Sequence, residues 1–475
     1  MNRHVIGLDV GSTYLKALLL TADGAEVGEA RRRTPWRSRP GGWTEMDASA
    51  LLAEVVELLT ELGELAAAAG VDAVCGIGIS GMAEAGALVD EDDHVDLPVV
   101  AWFDPRGEEE VAALDPQFRA EFPRRTGLPV SPLATFGKLL HARARGVPLA
   151  GRQWLNLPEY VASALGGDRF GEPSLRSRTG LIDQDTGADW ARPLELLEAP
   201  ADLLPPGRAA GQPWGVATRL VPPAFAGAVL TVAGHDHLVA SVGAGCVAPA
   251  DLYSSMGTAE ALVRVLDDTL DADTRGRLAT ANINVGQHLL PGRGVLIAGI
   301  KTGLLLRRLL QLVGVTDAAG RAGLDERVMK LPADAMAAHA LHVTGADNSD
   351  GVLAVRADGD GLSPELFFAA ALEHSTETLA AVLARMDAEV GPAERTVLSG
   401  GWSSMRSVRR ARATVLPGLQ ISDRAEGTAY GAGVIAAFAA RDAGSEQDLI
   451  SFVHEFAGRV EPGPTDQHTP KGWSA

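Results

Sequence analysis

Three turns in the sequence carry acidic or hydroxyl side chains where an apolar run gives way to a loop or helix. In AGHDHLVASVGAG, Asp236 stands between His235 and His237, after the run AVLTVAG and at the start of a predicted helix. A carboxylate there can act as general base toward a hydroxyl, and the positive end of the helix would keep it ionised. The position equally suits an ordinary N-cap. A metal reading of the His-Asp-His string is weaker, because adjacent side chains diverge and no further ligand cluster accompanies them. Near the start, Asp9 closes a short apolar run and Gly11-Ser12-Thr13 follows. Such a hairpin can turn backbone N–H groups and two hydroxyls toward a phosphate, while the carboxylate holds Mg²⁺ through water. Lys16, one of only five lysines, lies on the strand leaving that turn. A plain hairpin with a capping Asp is the competing explanation.

The third turn is Gly257-Thr258 in ADLYSSMGTAEALVRVLDD, which repeats strand, Gly-Thr turn and strand roughly half a chain after Gly11. Gly400-Gly401 after TVLS leaves two residues without side chains, where an adenine or ribose could lie against the backbone or a helix could start close to its strand. Trp43-Thr44-Glu45-Met46-Asp47, Glu84 and Trp102-Phe103-Asp104-Pro105-Arg106 place polar and aromatic residues at strand ends or loops. They are candidates for hydrogen bonds to a polyol and for stacking on a sugar face. Each also suits a cap or an exposed loop position.

The elements that must position these residues follow a repeated order. Val5 to Asp9, Tyr14 to Thr21 and a third run through Val27 read as a β-meander. Asp47 offers an N-cap to ASALLAEVVELLTELGELAAAAG, whose apolar residues recur at helical spacing. VDAVCGIGIS reads as a buried strand, and GALVDEDDHVDLPVVAW as a further hairpin. A β-β-β-α-β order predicts a mixed sheet with helices on its faces. In the second half, Lys301 to Gly314 reads as an amphipathic helix with Leu304, Leu305, Leu309 and Leu312 on one side. Pro364 to Val390 reads as a long helix, and EGTAYGAGVIAAFAA as a small-residue helix able to approach another backbone closely. Residues 191–228, rich in Pro, Ala and Gly, read as a surface connection, and PGPTDQHTPKGWSA as a frayed tail.

Composition narrows the function. The 475 residues allow two to four domains, and the repeated hairpin favours two large lobes. Lys plus Arg number 42 against 61 Asp plus Glu, a net charge of −19 that argues against nucleic-acid binding. Anionic substrates must then be gripped locally, by amides, metal ions or a few placed cations. Two cysteines, Cys75 and Cys246, make no disulfide framework. The N-terminus meets Asp9 too early for a signal peptide, and no stretch approaches the ~18 uninterrupted apolar residues of a membrane span. A cytoplasmic location is expected.

IGLDVGSTYLKALLL, GWTEMD, WFDPR, GHDH, SSMGTAEAL, LSGGWSSM and EGTAYGAG occur in that order. In their order and spacing they resemble the FGGY carbohydrate kinases, within the actin, hexokinase and heat-shock-chaperone ATPase superfamily, over residues 4 to 460. The resemblance implies an α/β fold of two actin-like (ribonuclease H-like) lobes, each a mixed five-stranded sheet flanked by helices, with a cleft between them. It implies residues 1–245 as a sugar-binding lobe with the first phosphate loop and base, 246–445 as a nucleotide-binding lobe, and 446–475 as a C-terminal helix and tail. Asp236 falls on the family's catalytic base and Asp9 on its Mg²⁺-associated carboxylate. Ser12, Thr13, Gly257 and Thr258 fall at phosphate contacts and Gly400 and Gly401 at the nucleotide; Gly11 and Lys16 join the phosphate candidates on their place in the first hairpin alone. Glu84 falls where relatives use a polar residue to grip substrate hydroxyls, while Trp43, Asp104, Arg106, His235 and Asp236 are substrate candidates by residue type and position. GISGMAEAG lacks both the Gln-Met-His signature that resembles xylulose kinases and the Arg before Glu84 that resembles glycerol kinases. The expected activity is ATP- and Mg²⁺-dependent phosphorylation of a hydroxyl on a small sugar or polyol. No nucleic-acid or membrane partner is expected, and the homodimer is the assembly common among such proteins. A nucleotide switch of the actin or chaperone type, or a non-catalytic sugar sensor, is the alternative.

Overall fold

The first apolar run is buried on both faces, so it reads as continuous rather than alternating. In the computed structural model, which describes residues 3–332, 341–346, 352–441, 448–456 and 460–463, it forms strand β1 (His4–Val10). β2 (Tyr14–Thr21) and β3 (Glu26–Arg33) follow as an antiparallel meander. Helix α1 (Ala48–Ala68) comes next, and buries Leu51, Val55, Leu58, Leu59, Leu62 and Ala66 at helical spacing. The Asp47 side chain makes no capping bond to α1 and pairs instead with Arg37 at 2.8 Å. β4 (Gly76–Gly81) and β5 (Val229–His235) run parallel to β1, and helix α2 (Asp236–Gly243) leaves directly from the end of β5. The sheet order is Gly215–Val216, β5, β4, β1, β2, β3.

The second half repeats this plan. β6 (Asp251–Met256) and β7 (Glu260–Leu266) form the second antiparallel hairpin, with β8 (Gly294–Ile300) beside β7. Helices α3 (Thr302–Leu312) and α4 (Pro364–Val390) follow, then β9 (Arg395–Ser399), helix α5 (Arg406–Arg412) and β10 (Leu419–Ser422). β9 is parallel to β6, and β10 to β9. The order β8-β7-β6-β9-β10 therefore reproduces β3-β2-β1-β4-β5, and this is the five-stranded core expected for each lobe. Short strands at the sheet edges extend it: Gly215–Val216 in the first sheet, and Asn284–Gln287 beside β8 and Val460–Pro462 beside β10 in the second. By length and composition alone α4 is apolar enough to cross a membrane, yet 56% of its most apolar window is buried within the protein, as in an interior helix.

The chain forms two compact units, and the first is not one continuous stretch. It contains Met1–Val247, Asp267–Val295 and Glu426–Ala457, whereas the second contains Ala248–Leu266 and Leu296–Ala425. Helix α6 (Gly427–Ala439) explains one return to the first unit. A Cβ at Gly7 on β1 would overlap the Ala429 carbonyl oxygen, and one at Gly78 on β4 would overlap that of Ala432. Glycine on the strands and Ala-Gly on the helix let the two backbones touch, as the small-residue pattern foretold.

Other expectations need correction. Gly86–Asp90 does not pair with the strand that follows it; it pairs with Arg152–Asn156, while Val99–Val100 pairs with Thr44–Met46. The α3 face is turned one position: Leu305, Leu306, Leu309 and Leu310 are buried, and Leu312 is 64% exposed. Residues 191–228 are no surface connection, because Trp214, Ala217, Phe225 and Ala228 sit in the first unit's core. Pro and Gly there mark bends between buried anchors. Most of PGPTDQHTPKGWSA lies outside the described residues.

Candidate active site

Strands β1, β4 and β5 are parallel and end level with one another: Val10 pairs with Gly81, and Gly81 with His235. Ligands of open α/β sheets bind at such carboxyl ends, where loops and helix N-termini converge. Asp9 lies at this edge, paired with Lys16 across the hairpin and with Ser80 on β4. Beyond it, the carbonyls of Gly11, Ser12 and Thr13 are all turned away and occupied. Thr34 Oγ1 donates to Gly11, Trp36 Nε1 to Ser12 and the Thr34 amide to Thr13. The Ser12 and Thr13 amides have no partner among the described residues, the arrangement an anion-binding loop needs. Trp102 Nε1 donates to Ser12 Oγ at 2.9 Å, and the Lys16 ammonium pairs with Glu426.

Asp236 is the first residue of α2, and its side chain keeps 20% of its surface exposed. The His237 amide donates to its Oδ1 at 2.7 Å, and His235 Nε2 lies 3.3 Å from the same oxygen. Burial pushes the Asp236 carboxyl up, but His237, His235, the His237 amide and Arg178 outweigh it and hold the group below its usual range. His235 is pushed down to about 4 by burial, so near neutrality it contributes a hydrogen-bonding ring rather than a charge. Asp9 goes the other way. Burial first, then the neighbouring Asp236 charge, raise its carboxyl well above the usual value, with Lys16 opposing and Glu426 adding to the rise.

Glu84 is held with φ at +59°, a conformation that costs a non-glycine residue free energy, and is 7% exposed. Its Oε1 accepts from Arg178 Nε at 2.6 Å. The Arg178 Nη1 atom is buried without a partner among the described residues, and Glu84 Oε2 receives no bond from them. Arg178 was not singled out from the sequence, where it sits in the unremarkable string LRSRTG, 94 residues from Glu84. Arg178 thus sets a cation against Glu84, although no basic residue adjoins Glu84 in sequence.

Asp104 and Arg106 behave differently from expectation. Arg106 donates to Asp104 through Nε and Nη2, to Glu45 through Nη1 and to the Thr44 carbonyl, and Asp104 also accepts from the Thr44 amide. Their hydrogen-bonding capacity is spent on one another, so they brace the loop that carries Trp43. The Arg106 guanidinium lies 4.8 Å from the Trp43 ring centre, and His141 meets the ring edge-on.

In the second unit, a cavity of about 500 Å³ is lined by Gly257, Thr258, Gly303, Arg307, Gly401 and Trp402 among others. The volume suits a ligand of nucleotide size. Its glycine-rich rim exposes backbone, and Trp402 with Arg307 supplies an aromatic face and a cation. Gly400 is not part of the lining; its φ is +90° and a Cβ there would press on the Met256 backbone. Behind the hairpin, Glu260 and Arg412 form a fully buried ion pair at 2.6 Å. Ser254 and Thr302 bond Glu260, and Thr376 accepts from Arg412. Truncating either member of such a pair would strand the other charge.

Among the described residues no cluster of three or more His, Cys, Asp or Glu forms a metal cage. Mg²⁺ does not require one, because it is held by one or two carboxylates plus substrate phosphates. Asp9 fits that use: its buried Oδ1 has no partner, and it faces the charges of Asp236 and Glu426 with only Lys16 to oppose them.

A family model described as the FGGY family of carbohydrate kinases, N-terminal domain, matches residues 4–243. The chain is similar to a gluconokinase of Bacillus subtilis, 22% identical over 193 residues, which are 40% of this chain and 37% of that protein. It is also similar to a glycerol kinase of Mycobacterium tuberculosis, 25% identical over 300 residues, 59% of this chain and 57% of that protein. The aligned stretches thus span about half, or less, of these curated relatives. The fold matches a crystal structure of a xylulose kinase from Brucella ovis with a TM-score of 0.85 and 21% identity, covering 99% of this chain and 96% of the other.

Proposed function

The chain belongs to the FGGY family of carbohydrate kinases, and from that premise we propose that it transfers the γ-phosphoryl group of ATP to a hydroxyl of a small neutral sugar or polyol, with Asp236 as general base. The observation that carries this reading is the state of Asp236. It is an ionised carboxylate with part of its surface open, at a helix N-terminus, electrostatically coupled to the Glu84–Arg178 pair through His235.

In this reading the first unit binds the acceptor and the second binds the nucleotide. Glu84 Oε2 accepts from one substrate hydroxyl, and Arg178 Nη1 donates to another. A hydroxyl can satisfy both groups, whereas a carboxylate would have to sit among Asp9, Glu84 and Asp236 with Arg178 already committed to Glu84. The neutral class is therefore preferred. Asp236 takes the hydroxyl proton as attack develops, a contribution of about 10²–10⁴-fold in rate. Within the first unit the open amides of Ser12 and Thr13 can meet phosphoryl oxygens; within the second, Thr258 lines the nucleotide cavity. Gly257, Gly303 and Gly401 let the nucleotide approach the backbone, with Trp402 against its base. Asp9 would hold Mg²⁺, which when bound offsets polyphosphate charge that the acidic protein cannot. ATP as donor makes the cytoplasm the expected location.

The test is sugar-dependent ADP release across ketopentoses, ketohexoses, alditols, glycerol and aldonates. We expect a neutral acceptor to give kcat/KM at least about 10² above the best aldonate, the upper end of the roughly 1–3 kcal/mol that one unsatisfied buried polar group costs. An aldonate as the best acceptor would overturn the substrate class. Slow ADP release that ignores the whole panel would overturn the kinase reading.

A further inference from the structure

The last peptide within β5, one residue before the base, is gripped at both ends. Its carbonyl, that of Gly234, accepts from Ser80 Oγ at 3.0 Å. Its amide, that of His235, donates to Ser174 Oγ at 3.0 Å. Because the Ser174 hydroxyl already accepts there, its single hydrogen goes to Glu172 Oε2. That same oxygen also takes the Leu175 amide at 3.0 Å, and the Glu172 amide is in turn held by Glu159 Oε1 at 2.9 Å. Ser80, Ser174 and Glu172 are at most 1% exposed.

This grip falls where β5 is irregular. The register with β4 shifts between Val232 and Gly234, and Gly234 has φ at +117°. A Cβ at Gly234 would lie 2.7 Å from Ser174 Oγ and 3.2 Å from Glu172 Oε2, so only glycine lets the serine and the carboxyl reach the peptide. A bulge of this kind re-aims the side chain that follows it. Here that side chain belongs to the His235–Asp236 corner.

We propose that Ser80, Ser174 and Glu172 are positioning residues for the reaction: by fixing the plane of the Gly234–His235 peptide they set the direction of the Asp236 carboxylate. None of the three is assigned a contact with substrate or nucleotide. The proposal rests on Asp236 being the base. A misaimed base loses rate in the chemical step while substrate and nucleotide still bind, because a small misplacement is costly only for the near-attack geometry.

The experiment measures kcat, both KM values and ADP affinity for Ser80→Ala, Ser174→Ala, Glu172→Gln and Glu172→Ala, with Asp236→Asn alongside. We expect each serine variant to lose about 10-fold in kcat, with both KM values and ADP affinity within about twofold of wild type. Glu172→Gln retains an acceptor oxygen for Ser174 and should keep most of the rate that Glu172→Ala loses. Serine variants with wild-type kcat, or with kcat and ADP affinity falling together, overturn the positioning role. Asp236→Asn with full turnover would instead sink the base assignment, whatever the serine variants do.

Discussion

Asp236 keeps its charge through its neighbours. Burial alone would raise its carboxyl, and His237, His235 and a backbone amide outweigh that. A general base whose carboxyl lies below its usual range stays competent throughout the neutral range. With saturating Mg²⁺ and nucleotide, so that a bound cation would keep Asp9 ionised, the pH profile of kcat should therefore be level from neutrality down to about 4, the ordinary carboxylate value, and fall only below it. An acid limb with its midpoint near neutrality would assign the base to another group. At this scale the sequence singles out residues whose local setting alone suggests chemistry. Asp9, Asp236 and both Gly-Thr turns are marked by strand-to-turn punctuation that survives without any tertiary information. Arg178, Thr34 and Trp36 were missed because what matters about them is their contacts. Arg178 meets Glu84 across 94 residues, and Thr34 Oγ1 and Trp36 Nε1 occupy loop carbonyls 23 and 24 residues back. Asp104 and Arg106 failed in the opposite sense, since their types suit a polyol but their hydrogen bonds are used up between themselves and the Trp43 loop.

The close seat of α6 on β1 and β4 gives a sharp contrast between glycines. Gly78 faces the Ala432 carbonyl, part of a helical backbone that cannot move aside, whereas Gly323 within the helix Ala318–Met329 has only the Arg327 side chain near it, at 3.5 Å. Gly78→Ala should cost about 3 kcal/mol, the upper range for overpacking. Gly323→Ala should be neutral or stabilising by up to about 1 kcal/mol. Urea unfolding of both variants checks this, and equal midpoints would refute the packing account. Repeated strand order and the small-residue helix were readable because both are periodic or compositional patterns. The partner of Gly86–Asp90 was not, since sequence proximity favours a hairpin and the actual partner, Arg152–Asn156, is more than fifty residues on. Residues 191–228 misled for a related reason: frequent Pro and Gly obscured the buried Trp214 and Phe225 between them.

For the whole molecule, the two-lobe plan was legible from the repeated hairpin, but the path of the chain was not. Residues 267–295 and 426–457 return to the first unit, while 248–266 and 296–425 build the second. No compositional break marks those crossings, because contacts such as α6 against β1 decide them. The net charge of −19 acquires a specific meaning on this architecture. In the proposed reaction a polyphosphate would have to be neutralised locally, by loop amides and a bound cation, against the overall field of the protein. The central claim is that Asp236 removes a proton from a substrate hydroxyl during phosphoryl transfer, and the most direct measurement compares wild type with Asp236→Asn for acceptor-dependent ADP release and for ATP affinity. The account predicts a loss of about 10²–10⁴-fold in kcat with ATP affinity unchanged. Turnover near wild type in Asp236→Asn would contradict it.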